Sequence, residues 1–371
     1  MLTLSALSSR PVTNEDLRRR FPVLERLAYL NAGTDGPLAA EAARAGAEEL
    51  LGEAARGRAR DHFERRTELA SALRESYARA LRCEPADVAL TTCTSEGLSI
   101  AIDGLDLQPG DEILTSDEEH PGLLGALAAS RDLYGVSVRM APLDRIDEAV
   151  GPDTRLVTCC HVGWMSGLSA PSRLAELDVP VVLDGAQGVG AVDVDVRALG
   201  CDAYAGAGQK WLCGPDGIGM LYVSPSVRER LSSRRRGYGN LADPERGIDA
   251  HLHEDARRFD TPALSAEALA TALAAIGVFE RFGWERAYER SSSLAGVLAD
   301  RLRERGREVA PRDRRSTLVS FTSADPEAER DALARAGVVL RNIPGRPWLR
   351  ASVGAWNDES DLDRLLAGLT R

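Results

Sequence analysis

The sequence predicts an α/β protein with a mostly parallel sheet, and three observations support this class. Short apolar segments alternate with helical patterns between residues 87 and 224. The apolar segments are nearly continuous, as expected of strands that are covered on both faces. After about residue 263 the pattern changes to two long helices followed by further strands. The 371 residues are enough for one large core and a smaller second one.

The N-terminal part of the chain is predicted to be a polar lead-in over residues 1–20, followed by a long helix. The lead-in lacks the basic start and apolar core of a signal peptide. An apolar run begins at Phe21, and an Ala-, Glu- and Arg-rich segment then predicts one helix from Glu41 to about Arg82. No apolar stretch is long enough to span a bilayer. We therefore expect a cytoplasmic protein that makes no membrane contact.

Seven segments in the middle of the chain have the composition of strands. They are residues 87–92, 111–116, 136–140, 155–160, 179–184, 202–207 and 217–224. Helical patterns follow the first two, and such alternation predicts parallel strands. The connection between the last two segments is too short for a helical crossover, which predicts an antiparallel pair.

The C-terminal part is predicted to be a smaller α+β domain. One helix carries Leu269, Leu273 and Ile276 on one face, and a second spans roughly 284–305. Residues 316–323 and 348–354 are predicted strands, and residues 359–369 a closing helix. The predicted boundaries are 21–262 for the large domain and 263–371 for the small one.

The basic residues are distributed in an unusual way, because Lys210 is the only lysine among 46 lysine and arginine residues. Arginine provides surface charge, but it offers no primary amine for an imine and does not lose its proton near neutral pH. Lys210 lies in a glycine-rich turn between two predicted strands, where burial lowers the pKa of an amine and makes it nucleophilic. Lys210 is therefore a candidate catalytic residue, the alternative being a chance surface lysine.

Charge and cysteine usage exclude several classes of function. The net charge of −11 argues against a nucleic-acid or anionic-membrane surface. The six cysteines form no C-x-x-C pair and the five histidines show no H-E-x-x-H spacing, so we predict free thiols and no metal site. A small-molecule substrate is the expected partner.

Three further constellations lie at predicted strand ends. Thr94, Ser95 and Glu96 start a helix after a strand, where free N–H groups bind anions, although an ordinary N-cap explains them too. Asp184 ends an apolar strand, where a carboxylate can pair with a cationic heterocycle or simply form a turn. His120 follows another strand and can stack on a planar cofactor or serve a structural role. A strand-end acid, a later lysine and an anion turn together favour pyridoxal phosphate (PLP), held as a Schiff base on Lys210.

Several segments resemble motifs of the class V aminotransferase family, which includes cysteine desulfurases, isopenicillin N epimerase-like proteins and cysteine or cystine C–S lyases. The segments are CTSEG at 93–97, EHPG at 119–122, LDGAQGVG at 183–190 and QKWLCGPDGIG at 209–219. The resemblance runs from about Phe21 to the C-terminus. It implies the aspartate aminotransferase-like fold of PLP-dependent transferases, with a mostly parallel seven-stranded sheet, and a homodimer whose active site lies at the interface.

The resemblance also implies roles for individual residues. The cofactor contacts that it implies are Asp184 on the pyridine nitrogen, Gln187 on the phenolic oxygen, His120 stacked on the ring, and Thr94, Ser95 and Glu96 on the phosphate. RFDTPAL resembles a segment that reaches the neighbouring subunit's phosphate through Thr261. WLRASVGAWN resembles a strand whose Arg350 binds the substrate carboxylate, and Asn31 is expected to line the substrate pocket.

The chain departs from the family pattern at informative positions. Many relatives have Ser three residues before the lysine and His directly before it, whereas this chain has Ala207 and Gln209. Phosphate anchoring must therefore differ, and Gln209 is a candidate cofactor contact. Residues 338–350 lack the nucleophilic cysteine of desulfurases. Trp164 in HVGWMSG resembles the C–S lyase and epimerase-like branches.

These features lead to β-elimination on a cysteine-type amino acid as the leading hypothesis. Transamination or epimerisation on the same scaffold is an alternative, because all three reactions pass through the same carbanion. A cysteine desulfurase, or a PLP-binding regulator without activity, agrees less well with the missing loop cysteine and the acidic charge. The residue types do not distinguish the exact substrate.

Overall fold

The computed structural model describes residues 12–369, so residues 1–11, with the segment examined for a signal peptide, and residues 370–371 lie outside the described part. The strands are β1 (Ala28–Tyr29), β2 (Val88–Thr91), β3 (Glu112–Ser116), β4 (Ser137–Ala141), β5 (Thr154–Cys160), β6 (Val181–Asp184), β7 (Ala203–Ala207), β8 (Gly219–Val223), β9 (Leu318–Thr322), β10 (Val338–Val339), β11 (Arg341–Asn342) and β12 (Trp348–Ser352). The helices are α1 (Asn14–Arg18), α2 (Ala40–Arg56), α3 (Arg60–Leu81), α4 (Thr94–Gly104), α5 (Pro121–Tyr134), α6 (Pro225–Arg228), α7 (Ala266–Phe282), α8 (Trp284–Glu304), α9 (Pro326–Arg335) and α10 (Glu359–Gly368).

The largest sheet has seven strands in the order β2-β8-β7-β6-β5-β3-β4. Only β8 runs antiparallel to its neighbours in this sheet, β2 and β7. Helices cover both faces: α3 and α7 pack on one, and α4 and α5 on the other. Coverage on both faces explains why the strands are almost wholly apolar. The predicted α/β class, the mostly parallel sheet and the antiparallel pair are confirmed.

The predicted helix from Glu41 to Arg82 is wrong in one respect, because it is two helices, α2 and α3. Gly57 follows α2 with φ 78°, and its N–H donates to the Glu53 carbonyl at 2.8 Å. Glycine adopts this left-handed conformation without the steric cost that a side chain imposes. The Ala-, Glu- and Arg-rich composition on both sides favours helix, so only this glycine marks the break.

A second, antiparallel sheet has the order β11-β12-β9 and packs against α8, α9 and α10. The short strands β1 and β10 pair in parallel, an association that sequence patterns did not reveal. Ala28 and Leu30 consequently belong to the same apolar core as α8 and α10. Within the predicted lead-in, α1 buries Leu17 completely. The domain boundaries at 20 and 262 stay predictions.

The carboxyl ends of β3, β5 and β6 lie side by side in the large sheet. The loops after them carry Glu119 and His120, then His161 to Trp164, and then Gly185 to Gln187. Ligands of open α/β sheets bind at this edge. Within residues 12–369 no helix is both long and apolar enough to cross a membrane.

Candidate active site

Lys210 and Asp184 lie within electrostatic reach of each other. Asp184 is the last residue of β6 and is buried, and its Oδ1 accepts a hydrogen bond from the Ala186 N–H at 2.9 Å. Burial lowers the pKa of Lys210, and the Asp184 carboxylate opposes this shift. Burial likewise raises the pKa of Asp184, and Lys210 opposes that shift. The fold therefore brings the two main predicted residues into one site.

Gln187 joins this pair to the turn formed by residues 31–36. The indole N–H of Trp211 donates to Gln187 Oε1 at 2.9 Å, and Gln187 Nε2 donates to the Gly33 carbonyl at 2.7 Å. Because Trp211 can only donate, it fixes which end of the amide carries the oxygen. The Gly36 N–H also donates to the Gln209 carbonyl at 2.8 Å. The turn is thereby attached to the segment that carries Lys210.

His120 is held in one orientation at the start of α5. Its Nδ1 accepts a hydrogen bond from the Gly122 N–H at 3.0 Å, and its ring meets the Trp164 ring edge-on at 5.2 Å between centroids. Burial lowers the pKa of His120 to about 4, and the charges of Lys210, Arg341 and Arg350 act in the same direction. At neutral pH the ring is therefore uncharged, with its proton on Nε2.

The start of α4 has features that suit an anion. Cys93 precedes the helix and provides no side-chain hydrogen bond to its first turn, which leaves N–H groups of that turn available. The Thr94 hydroxyl and the Gln209 side-chain oxygen are buried without a hydrogen-bond partner in the described chain. Ser95 is the next residue of the same turn.

The Glu96 carboxylate is bound by residues outside the helix. Its Oε2 accepts hydrogen bonds from the Thr92 N–H at 2.7 Å, the Thr92 hydroxyl at 2.8 Å and the Thr261 hydroxyl at 2.6 Å. Although burial alone would raise it, these bonds lower the pKa of Glu96. Thr261 thus contacts Glu96 of its own chain, and its contact with a neighbouring subunit stays a prediction.

Arg350 lies in the middle of β12 and is completely buried. Its Nη1 donates to the Trp164 carbonyl at 2.8 Å and its Nη2 to the Thr34 hydroxyl at 3.5 Å, while Nε has no partner within residues 12–369. Burial lowers the pKa of Arg350 to about 9, with a contribution from Arg341. No carboxylate within residues 12–369 forms an ion pair with this buried guanidinium.

Arg341 is a candidate residue that sequence reasoning missed. It is the register partner of Arg350 on β11, and its guanidinium carbon lies 5.5 Å from the centre of the Trp164 ring. The turn I-P-G-R-P between the two strands was the available signal, because a hairpin places residues at equal distances from its turn opposite each other. The other predicted substrate residue, Asn31, accepts a hydrogen bond from the Thr34 hydroxyl at 3.0 Å.

Comparison with known proteins identifies the family of this site. The sequence profile described as Aminotransferase class-V matches residues 30–365. The chain belongs to the class V aminotransferase family. The predicted family and the prediction of a PLP-dependent enzyme are thereby confirmed.

Relatives within this family have different names. A probable cysteine desulfurase of Methanothermobacter thermautotrophicus is 30% identical over 76% of this chain and 74% of its own length. An isopenicillin N epimerase of Streptomyces clavuligerus is 27% identical over 96% of this chain and 97% of its own length. Names alone therefore do not select one reaction.

Solved structures share the whole fold. The cystine C–S lyase C-DES, in complex with its reaction product cysteine persulfide, superimposes with a TM-score of 0.88 at 28% identity. The superposition covers 94% of this chain and 98% of the lyase. A lysine-to-alanine variant of the same lyase has glycine covalently linked to its PLP cofactor.

The residues present fit PLP. A buried lysine amine, a buried strand-end carboxylate and an uncharged ring at His120 suit the aldehyde, the pyridine nitrogen and the ring face of PLP. The unpartnered Thr94 hydroxyl and the N–H groups of α4 suit a phosphate. The Gln209 side-chain oxygen is likewise buried without a hydrogen-bond partner among the described residues, and a rotation of the amide would present N–H groups in its place. Within residues 12–369, no group of three or more His, Cys, Asp or Glu side chains is arranged to hold a metal ion.

Proposed function

We propose that this protein is a C–S lyase that performs β-elimination on a cysteine-type amino acid, with cystine as the best candidate substrate. The observation that carries the proposal is the pair Arg341 and Arg350, which are register partners beside Trp164. Neither has a carboxylate partner within residues 12–369, whereas exposed arginines such as Arg20, Arg60 and Arg79 do. Cystine has two carboxylates, and each of them can pair with one of the two guanidinium groups. An amino acid with a single carboxylate would leave one guanidinium group without a partner.

The positions of the side chains support the following cofactor contacts. Lys210 carries PLP on its amine, Asp184 pairs with the pyridine nitrogen, Gln187 lies near the phenolic oxygen and His120 covers the ring. The phosphate is held by the first turn of α4 with Thr94 and Ser95, and by Gln209. When bound, PLP supplies an electron sink for the negative charge that develops at Cα.

The protein's own groups orient the substrate and move the proton. Arg350 holds the α-carboxylate and Arg341 the distal one, so that Cα faces the Lys210 amine. Because burial lowers the pKa of Lys210, its freed amine is able to take the α-proton, a step that contributes about 10²–10⁴-fold in rate. With cystine and one water, the products are pyruvate, ammonia and cysteine persulfide.

A desulfurase reaction through a protein persulfide has less support. Residues 338–350, where the desulfurase cysteine is expected, contain no cysteine. Cys213 is the cysteine nearest to Lys210 in sequence, and it is completely buried. Burial raises the pKa of the Cys213 thiol, so little nucleophilic thiolate is present.

The experiment is a product assay of the holoenzyme with cystine, S-methylcysteine and cysteine. We expect pyruvate and persulfide from cystine without alanine, and a Lys210→Arg control should be inactive. Borohydride reduction should place the cofactor on Lys210, the only lysine in the chain. Alanine without pyruvate would contradict the lyase assignment, and the absence of any adduct at Lys210 would contradict the cofactor site.

Epimerisation is the second candidate, because an isopenicillin N epimerase matches 96% of this chain. Removal and return of the α-proton by the same Lys210 amine would invert Cα without loss of a sulfur group. Loss of optical activity in an amino acid that yields no pyruvate would favour this reaction over elimination.

We also propose that the enzyme is a homodimer with Thr261 near the neighbouring subunit's phosphate site. Thr261 lies on a wide groove of about 440 Å³ that is lined partly by Arg66, Arg74 and Arg257. Sedimentation of the holoenzyme should give a dimer, and Thr261→Ala should weaken PLP retention. A monomer with full activity would contradict this arrangement.

A further inference from the structure

A buried carboxyl group near Asp184 has no role in the reaction described so far. Glu119 is 4% exposed. Its Oε1 accepts hydrogen bonds from the Ser116 hydroxyl and from the Cys160 N–H, the latter at 3.0 Å. Its Oε2 is buried without a hydrogen-bond partner among the described residues. A buried carboxyl oxygen that accepts no hydrogen bond is costly if it is charged.

The position of Glu119 connects it to the cofactor side of the sheet. Ser116 ends β3, Cys160 ends β5 and Asp184 ends β6, and Cys160 is the register partner of Asp184. Glu119 therefore reaches across the strand end next to Asp184. The following residue, His120, is the N-cap residue of α5.

The surrounding charges distinguish the two carboxyl groups. Burial raises the pKa of Glu119 to about 8, and the negative charge of Asp184 acts in the same direction. The other titratable groups beside it are the thiols of Cys159 and Cys160, whose pKa values burial also raises. Asp184 differs because the Lys210 amine, when it is free and protonated, opposes the rise in the pKa of Asp184. Burial therefore favours the neutral form of Glu119, whereas the nearby positive charge favours the ionised form of Asp184.

We propose that Glu119 is a positioning residue for Asp184, acting as a neutral hydrogen-bonded carboxyl group that leaves a single negative charge to face the pyridine nitrogen. This role rests on the proposed contact between Asp184 and PLP. Ionisation of Glu119 adds a second negative charge at the same strand ends. The ring then accepts electron density less readily, so activity falls as the pH rises through this ionisation.

Glu119→Gln isolates the ionisation, because an amide reproduces both acceptor contacts of the neutral carboxyl group and cannot lose a proton near pH 8. Glu118→Gln is the matched control: Glu118 is the adjacent carboxylate and accepts from the Ser166 N–H at 3.1 Å. The holoenzymes are compared in two titrations, one of the absorption of bound cofactor and one of the unfolding equilibrium.

The cofactor titration tests the positioning role. In the wild type and in Glu118→Gln we expect a spectral transition near pH 8, together with a fall in kcat over the same range. Glu119→Gln should lack the transition and keep its kcat at high pH. Titration curves that coincide in wild type and Glu119→Gln would overturn the proposal.

The unfolding titration tests the protonation state without relying on catalysis. Between about pH 4.5 and 8 the native wild type holds a proton on Glu119 that the unfolded chain has lost, so its stability falls with rising pH. Relative to Glu119→Gln, the unfolding equilibrium constant should rise about tenfold per pH unit. If the unfolding free energies of wild type and Glu119→Gln changed in parallel with pH, the assignment of a neutral Glu119 would be overturned. Failure of PLP to bind would instead contradict the proposed function and leave this result standing.

Discussion

Arg341 and Arg350 are opposite each other on neighbouring antiparallel strands, and both contact Trp164, one through the ring and the other through the carbonyl oxygen. Burial lowers the pKa of Arg350, and the positive charge of Arg341 at the same register position lowers it further. No carboxylate among residues 12–369 forms an ion pair with either of them. Under the proposed function, an anionic substrate supplies the missing negative charge.

This pair predicts different effects of two substitutions. Arg350→Gln should lower kcat/KM for cystine and S-methylcysteine alike, because both carry an α-carboxylate. Arg341→Gln should lower kcat/KM for cystine by roughly tenfold to hundredfold, the value of one charge-assisted hydrogen bond. It should affect S-methylcysteine little. Arg346→Gln, at an exposed position of the same hairpin, is the control, and equal losses on both substrates in Arg341→Gln would refute the prediction.

Gly33 predicts a steric effect on the substrate site. A Cβ at this position would lie 2.7 Å from Arg350 Nη2, 2.8 Å from Ser352 Oγ and 2.9 Å from Gln187 Oε1. Gly33→Ala should therefore displace Arg350 and raise KM, by an amount equivalent to about 1–3 kcal/mol of overpacking. Gly125→Ala, where a helical Cβ meets no atom within 4 Å, should leave KM unchanged. Unaltered KM in Gly33→Ala would show that the turn moves freely.

His161 predicts a loss of stability in mild acid. It is buried, its Nδ1 lies 3.1 Å from the Tyr204 hydroxyl, and burial lowers the pKa of His161 to about 4. The unfolded chain takes up this proton near pH 6.5 and the folded chain only near pH 4, so stability falls as the pH decreases between these values. The loss amounts to about 3 kcal/mol. Denaturant titrations at pH 4.5, 5.5 and 7 measure it.

Two variants distinguish the titration of His161 from the loss of its contact with Tyr204. His161→Asn should have a flatter pH dependence, because one proton no longer binds on unfolding. Tyr204→Phe removes the hydrogen-bond partner and keeps the histidine, so its slope should remain that of the wild type. Equal slopes in all three proteins would mean that His161 does not titrate differently on folding.

The ion pair of Arg74 and Asp260 predicts a structural effect at the phosphate side. Arg74 is buried, and its Nη2 lies 2.7 Å from Asp260 Oδ2, while Asp260 Oδ1 accepts from the Leu90 N–H at 2.8 Å. Asp260→Ala leaves a buried guanidinium unpaired and should cost about 3–5 kcal/mol of unfolding free energy. Because Thr261 follows directly, PLP retention should fall as well.

The exposed ion pair of Arg82 and Asp193, at 2.8 Å, is the control for that prediction. Asp193→Ala should change the unfolding free energy by less than about 1 kcal/mol, since solvent screens the pair. Similar losses in both variants would show that burial does not decide the strength of the Arg74 pair.

The sequence predicted the site residues that stand out from their surroundings by residue type. Lys210 was conspicuous because arginine replaces lysine everywhere else, and Asp184 because a charged residue ends an apolar strand. Both signals are local and follow from what the side chain itself is able to do. The break at Gly57 was missed for the same reason, since the residues around it favour helix and only one backbone angle ends α2.

The sequence by itself determined the α/β class, the strand segments and the cofactor chemistry. The alternation of apolar segments with helical patterns, and the residue types in the motifs, are properties of positions close together in the chain. Only the tertiary structure decided that Arg341 lies opposite Arg350, that Glu96 meets Thr261, and that Glu119 reaches the strand end beside Asp184. These pairs depend on strand register and sheet order, which join residues far apart in the chain. Burial and the hydrogen bonds that shift the pKa values at the site follow from that arrangement.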